Sequence, residues 1–162
     1  LGEQVTAVGV VSGGGLPQLP TKNASRSNLE ASFTSLLARR APALFFRQFS
    51  RQASSADMAI LSNPVHKVAL LRHVREAFRH GSRGVVEDAA LLAQPWGIAF
   101  DAISTPVRLW HGEDDRTVPV ASARIVAEAI PGCTPTFIPG AGRLWLLEHA
   151  GEVLDILSAK QQ

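Results

Sequence analysis

With 162 residues, 46% of them apolar and 19% charged, the chain is long enough to bury roughly two-thirds of its unfolded surface in one domain and too apolar to be disordered. Sixteen Lys and Arg against fourteen Asp and Glu leave a net charge of +2, too little to point to nucleic acid, and no apolar run approaches the roughly 18–20 residues of a membrane span. The single Cys133 can form no internal disulfide and no basic-then-apolar segment opens the chain, so a reducing, cytoplasmic setting is the expectation.

Leu1 opens the sequence and a strand pattern follows almost at once, as in a start within a larger unit. Residues 5–11, "VTAVGVV", are apolar on both alternations, which predicts a central parallel strand buried on both faces and paired on both edges. "SGGGLPQLP" stops it. From 28 to 95 the period turns helical, in the segments "NLEASFTSLLARR", "PALFFRQFSRQA", "NPVHKVALLRHVREAFRHG" and "GVVEDAALLAQP". The third has the clearest signals. Asn63 suits an N-cap, Pro64 the first helical position and Gly81 a stop, while Val68, Leu71, Val74 and Phe78 keep near-helical spacing.

A short strand is predicted at 107–110, then the loop "EDDRTVP", a helix over "ASARIVAEAI", a second strand near 134–138, and a last helix to about 159. Strand, helix, strand, helix implies parallel pairing with right-handed crossovers, hence an α/β fold with a helical insertion after the first strand.

Asp114 and Asp115 fall just past the end of a predicted parallel strand, where functional groups of open α/β sheets gather. The plainer role for the pair is to cap a loop, since Asp favours turns. "IPGAGRLWLLEH" lies at the corresponding end of the next strand. Gly140 and Gly142 permit positive φ or close approach there, which puts residue 143 on the same rim as Asp115.

These loops carry a resemblance. "VRLWHGEDDRTVPVASARIVAEAIPGCTPTFIPGAG" resembles the C-terminal part of an α/β-hydrolase of the esterase, epoxide hydrolase and proline iminopeptidase-like group. The family's Gly-x-x-Asp-x-x-Val-Pro loop falls on Gly112, Asp115, Val118 and Pro119, so the resemblance implies that Asp115 is the acid of a Ser-His-Asp triad. The family's Gly-x-Gly-His turn falls on Gly140, Ala141, Gly142 and Arg143, so Arg143 occupies the position of the catalytic histidine. An arginine stays protonated and cannot serve as a general base. His149, six residues on, is a weak substitute on another face of the last helix. The family's Gly-x-Ser-x-Gly nucleophile elbow has no counterpart here, since "GVVSG" and "GSRGV" have the wrong spacing.

The resemblance implies the C-terminal half of an α/β-hydrolase: a partial core over 1–15 and 100–162, and a helical cap, or lid, over 16–99. The activity implied for an intact relative is hydrolysis of an ester or amide-type bond in a small, apolar molecule, with no cofactor and no metal. Without nucleophile, base or oxyanion donors this chain alone is expected to be inactive; the alternative is a non-catalytic binding or regulatory module that retained the fold. The expected partners are a small-molecule substrate in an intact relative, and an N-terminal half or a second copy at the edge of the first strand, with neither nucleic acid nor membrane. Arg143 is expected to pair with Asp115.

Three further features read as structural. His66, His73 and His80 share a helical stripe but stand about 10.5 Å apart along the axis, too far for one metal. "RHVREAFRHGSRG" is locally basic without interleaved stacking aromatics. Trp96, Trp110 and Trp145 are expected to pack in the core.

Overall fold

The strand at the centre of the sheet, β2 (Val107–Gly112), carries the apolar Val107, Leu109 and Trp110 and is buried from Leu109 to Gly112. The computed structural model describes residues 5–13 and 28–159. Among these, β2 pairs in parallel with β1 (Val8–Val11) on one edge and β3 (Thr134–Ile138) on the other, giving the order β1-β2-β3. The register sets Val10 beside Leu109 and Leu109 beside Pro135. Pro135 lacks a ladder donor and suits an edge strand, which β3 is among the described residues.

Helix α6 (Val120–Ala129) packs on β2 and β3, and α7 (Leu146–Ser158) on β1. Val107, Leu109 and Trp110 join Ala123, Ile130 and Val153 in the core under these helices. Full burial of a Leu or Val contributes about 1.5–3 kcal/mol.

Between β1 and β2 the chain is helical: α1 (Asn28–Arg40), α2 (Pro42–Ser50), α3 (Ser55–Ile60), α4 (Pro64–Ala77) and α5 (Arg83–Leu92). α1 is the hub, touching α2, α4 and α5. Asn63 caps α4 as its sequence suggests, its side-chain oxygen accepting the Val65 N–H at 2.9 Å, with Pro64 in the first turn.

Three expectations are corrected. β1 is four residues long and none of them is fully buried; β2 covers one edge and α7 packs against it, and no described strand covers the other. The apolar stripe of α4 sinks only at its end: Phe78 is buried, Leu71 and Val74 are half-buried, and Val68 is exposed. Trp110 is core, but Trp145 is half-buried, and Trp96 is exposed and donates from its indole N–H to the Leu92 carbonyl of its own segment.

Candidate functional site at the carboxyl ends of the strands

The loop after β2 and the turn after β3 are joined backbone to backbone. Glu113 N–H donates to the Ile138 carbonyl at 3.0 Å and Asp114 N–H to the Ala141 carbonyl at 2.9 Å. The approach is close enough that a Cβ on Gly112 would run into the Ala141 carbonyl, so glycine is required there. Gly140, with φ of 70°, turns the chain out of β3. The two loops are neighbours, as their spacing predicts.

Asp115 is buried. Its Oδ1 accepts the N–H groups of Thr117 (2.7 Å) and Val118 (2.9 Å), an Asx-type closure of its own loop. Its Oδ2, also buried, has no hydrogen-bond partner. His111 lies beneath. Its Nε2 is 3.0 Å from the Val118 carbonyl and 3.8 Å from Asp115 Oδ2. A carbonyl only accepts, so the ring hydrogen sits on Nε2, and the buried Nδ1 is left unpartnered. Val118 thus ties both side chains through its own backbone, donating to one and accepting from the other.

Arg143 stands on the turn between β3 and α7, and its side chain is exposed. It forms no ion pair with Asp115. The loops are adjacent, but the carboxylate is folded inward onto its own loop while the guanidinium stays in water, where an exposed ion pair is worth only about 0–1 kcal/mol. Asp114 is exposed. His149 is held within its own helix, with Nδ1 3.0 Å from the Trp145 carbonyl and its ring stacked on Trp145 at 4.3 Å.

Two groups escape a reading of local pattern. Ser12, at the end of β1, has φ of 46°, a left-handed conformation unusual outside glycine. Its N–H donates to the Trp110 carbonyl, and its hydroxyl donates to the carbonyl of Arg143 at 3.3 Å. The hydroxyl hydrogen of Ser12 goes to a carbonyl and not to a base. The second group is the start of α3. Ser54 Oγ accepts the Asp57 N–H at 3.1 Å, and Asp57 Oδ1 accepts the Leu144 N–H at 2.7 Å. Both side chains press on Gly142, where any Cβ would collide with them.

No group of three His, Cys, Asp or Glu suited to a metal occurs among the described residues. His66 is half-buried, while His73 and His80 are exposed. Cys133 lies ahead of β3, away from the strands' carboxyl ends, and desolvation raises its thiol above the usual range.

No family model matches the chain, and no curated protein matches it in sequence. Solved structures do. An esterase from Rhodococcus sp. ECU1013 superposes with a TM-score of 0.59 at 18% identity, covering 96% of this chain and 56% of its own. The Rv0554 protein of Mycobacterium tuberculosis gives 0.62 at 21% over 96% and 56%, and an esterase from Exiguobacterium antarcticum gives 0.57 at 13% over 95% and 56%. The fold is part of an α/β-hydrolase. The chain spans little more than half the length of these three structures. Within the α/β-hydrolase fold, the described sheet and helices correspond to a portion that ends in two βα units, and the loops just described lie at the rim where such sheets place their chemistry.

Proposed function

We propose that this chain is a fragment or degenerate member of the α/β-hydrolases, with a core piece over 1–15 and 100–162 and a helical cap over 16–99. Its ancestral reaction is hydrolysis of an ester or amide-type bond in a small apolar molecule. The observation that carries this reading is Asp115: a buried carboxylate at the end of β2 with one oxygen fixed by two backbone N–H groups and the other free to accept a hydrogen bond. An acid that orients a histidine needs a carboxylate fixed through one oxygen and unpartnered at the other, and Asp115 supplies both, although its Oδ2 is turned inward beside His111. Arg143 replaces that histidine in this reading, and without a base a serine hydroxyl is a poor nucleophile.

The residues of this chain alone then give no hydrolysis of a short-chain chromogenic ester above buffer, and Arg143→His alone does not restore it, because no elbow serine or oxyanion donors are supplied. Labelling by a fluorophosphonate, rising and falling with ester hydrolysis across variants, would contradict the reading.

A second reading, a binding or regulatory module on the same fold, is favoured by the contact of Ser54 and Asp57 with the Gly142 turn. These side chains fill the space beside the position of the base and hold the helical segment on the strand ends. A protein kept for binding tolerates that closure, whereas one kept for turnover needs the rim open to substrate.

A further inference from the structure

Charge is unevenly divided along the chain. Between residues 28 and 99 there are nine Lys and Arg against five Asp and Glu, and between 100 and 159 four against eight. Much of the basic surplus gathers at one groove of about 670 Å³ between the end of α1 and α4, lined by Arg39, Arg40, Arg72, Arg75 and Arg79 together with the carboxylate of Glu76. Arg72 and Arg75 are three apart on α4 and so share one side of it, and Arg79 follows in the turn after the helix. Arg79 pairs with Glu76 at 3.3 Å, and among the described residues the other four arginines form no ion pair. The carbonyl end of α1 favours cations at Arg39 and Arg40, but Arg72, midway along α4, has no such reason to face the same hollow.

The floor is apolar, made of Pro42, Leu71 and the exposed Val68. We propose that this groove binds a phosphate monoester bearing a short apolar tail. Five arginines against the single carboxylate of Glu76 give the hollow a positive excess that a bound anion offsets. A phosphate, with three terminal oxygens, takes forked hydrogen bonds from several arginines where a carboxylate satisfies two at most. The tail covers Val68 and Leu71. The volume falls within the roughly 300–1,000 Å³ of small-molecule sites, and the concave shape suits one head group better than a lipid surface does. No aromatic side chain lines the groove, so it offers nothing for a nucleobase to stack on. None of its residues belongs to the strand-end site, so the proposal stands whether or not the hydrolase reading does.

Calorimetric titration of the whole chain with hexyl phosphate, inorganic phosphate, 1-hexanol and phosphatidic acid vesicles tests this. Hexyl phosphate should bind at least about tenfold tighter than inorganic phosphate, hexanol should not bind, and affinity should fall as salt rises. Arg72→Gln with Arg75→Gln should weaken binding about tenfold or more, and Glu76→Gln, which removes the competing carboxylate, should tighten it. All these positions are surface ones, and an unchanged melting curve shows that the variants fold. Equal affinity for phosphate and hexyl phosphate, binding that survives loss of both arginines, binding to vesicles alone, or no binding at all would each overturn the proposal.

Discussion

Asp57 accepts the backbone N–H of Leu144 at 2.7 Å, a bond between residues 87 positions apart in the chain. One partner lies on a six-residue helix of the segment between β1 and β2, and the other follows Arg143 on the turn after β3. The bond therefore fixes the helical segment against the rim where the candidate site lies.

Its strength can be measured without any activity. Asp57→Ala leaves the Leu144 N–H without its charged acceptor and should lower stability by about 1.5–3 kcal/mol in urea unfolding. Asp57→Asn keeps an oxygen in place and should cost clearly less. Equal losses for the two variants would mean that packing, and not the bond, holds the segment.

Gly142 and Gly151 should respond oppositely to alanine. A Cβ at Gly142 meets Asp57 and Ser54, so Gly142→Ala should cost about 1–3 kcal/mol as the segment is pushed off the turn. Gly151 is inside α7 with open space around it, so Gly151→Ala should gain about 0.5–1 kcal/mol. Thermal unfolding of both decides it, and a harmless Gly142→Ala would mean the contact is loose.

Asp115 should prove structural as well as chemical. Asp115→Ala removes the acceptor of two backbone N–H groups and should destabilise the chain by about 2–4 kcal/mol, while Asp115→Asn, which can keep Oδ1, should cost less. Urea unfolding of the two variants checks this, and an Asp115→Ala variant as stable as the parent would show that the loop holds itself closed.

The sequence carried the long elements and lost the short and the distant ones. α1, α2, α4, α5, α6 and α7 and strands β2 and β3 lie close to their predicted places, because each carries an apolar pattern and most are bounded by Pro, Asn or Gly. α3 spans under two turns and shows no period; the Ser54-x-x-Asp57 spacing was its one local sign. Nothing local reports that the Asp57 carboxylate leaves its helix for Leu144. At the site, Gly140 and Gly142 correctly signalled a close pair of loops, and Gly112 completes the contact from the other side. The expected Asp115–Arg143 pair failed because loop proximity does not fix where a side chain turns. Ser12 was hidden because its left-handed backbone falls on a non-glycine residue and its partners Trp110 and Arg143 are distant in the sequence.

The outer edge of β1 should drive association. Val8, Val10 and Val11 carry no charge or proline, and no described strand pairs with that edge. Light scattering across a concentration series should show self-association that a lysine at Val10 reduces. A monodisperse monomer at high concentration, with residues 8–11 protected from hydrogen exchange, would show that the edge is covered in another way.

The central proposal is that these strand ends keep the acid of a hydrolytic triad and have lost its base. It is tested most directly by co-expressing the chain with an N-terminal half that supplies a Gly-x-Ser-x-Gly elbow and both oxyanion donors, once with Arg143 and once with Arg143→His, and assaying the purified complexes on a short-chain chromogenic ester. The account predicts no hydrolysis with Arg143, hydrolysis with Arg143→His, and loss of that activity when Asp115→Asn is added. Equal hydrolysis by the Arg143 and Arg143→His complexes, or an Arg143→His complex indifferent to Asp115→Asn, would contradict it.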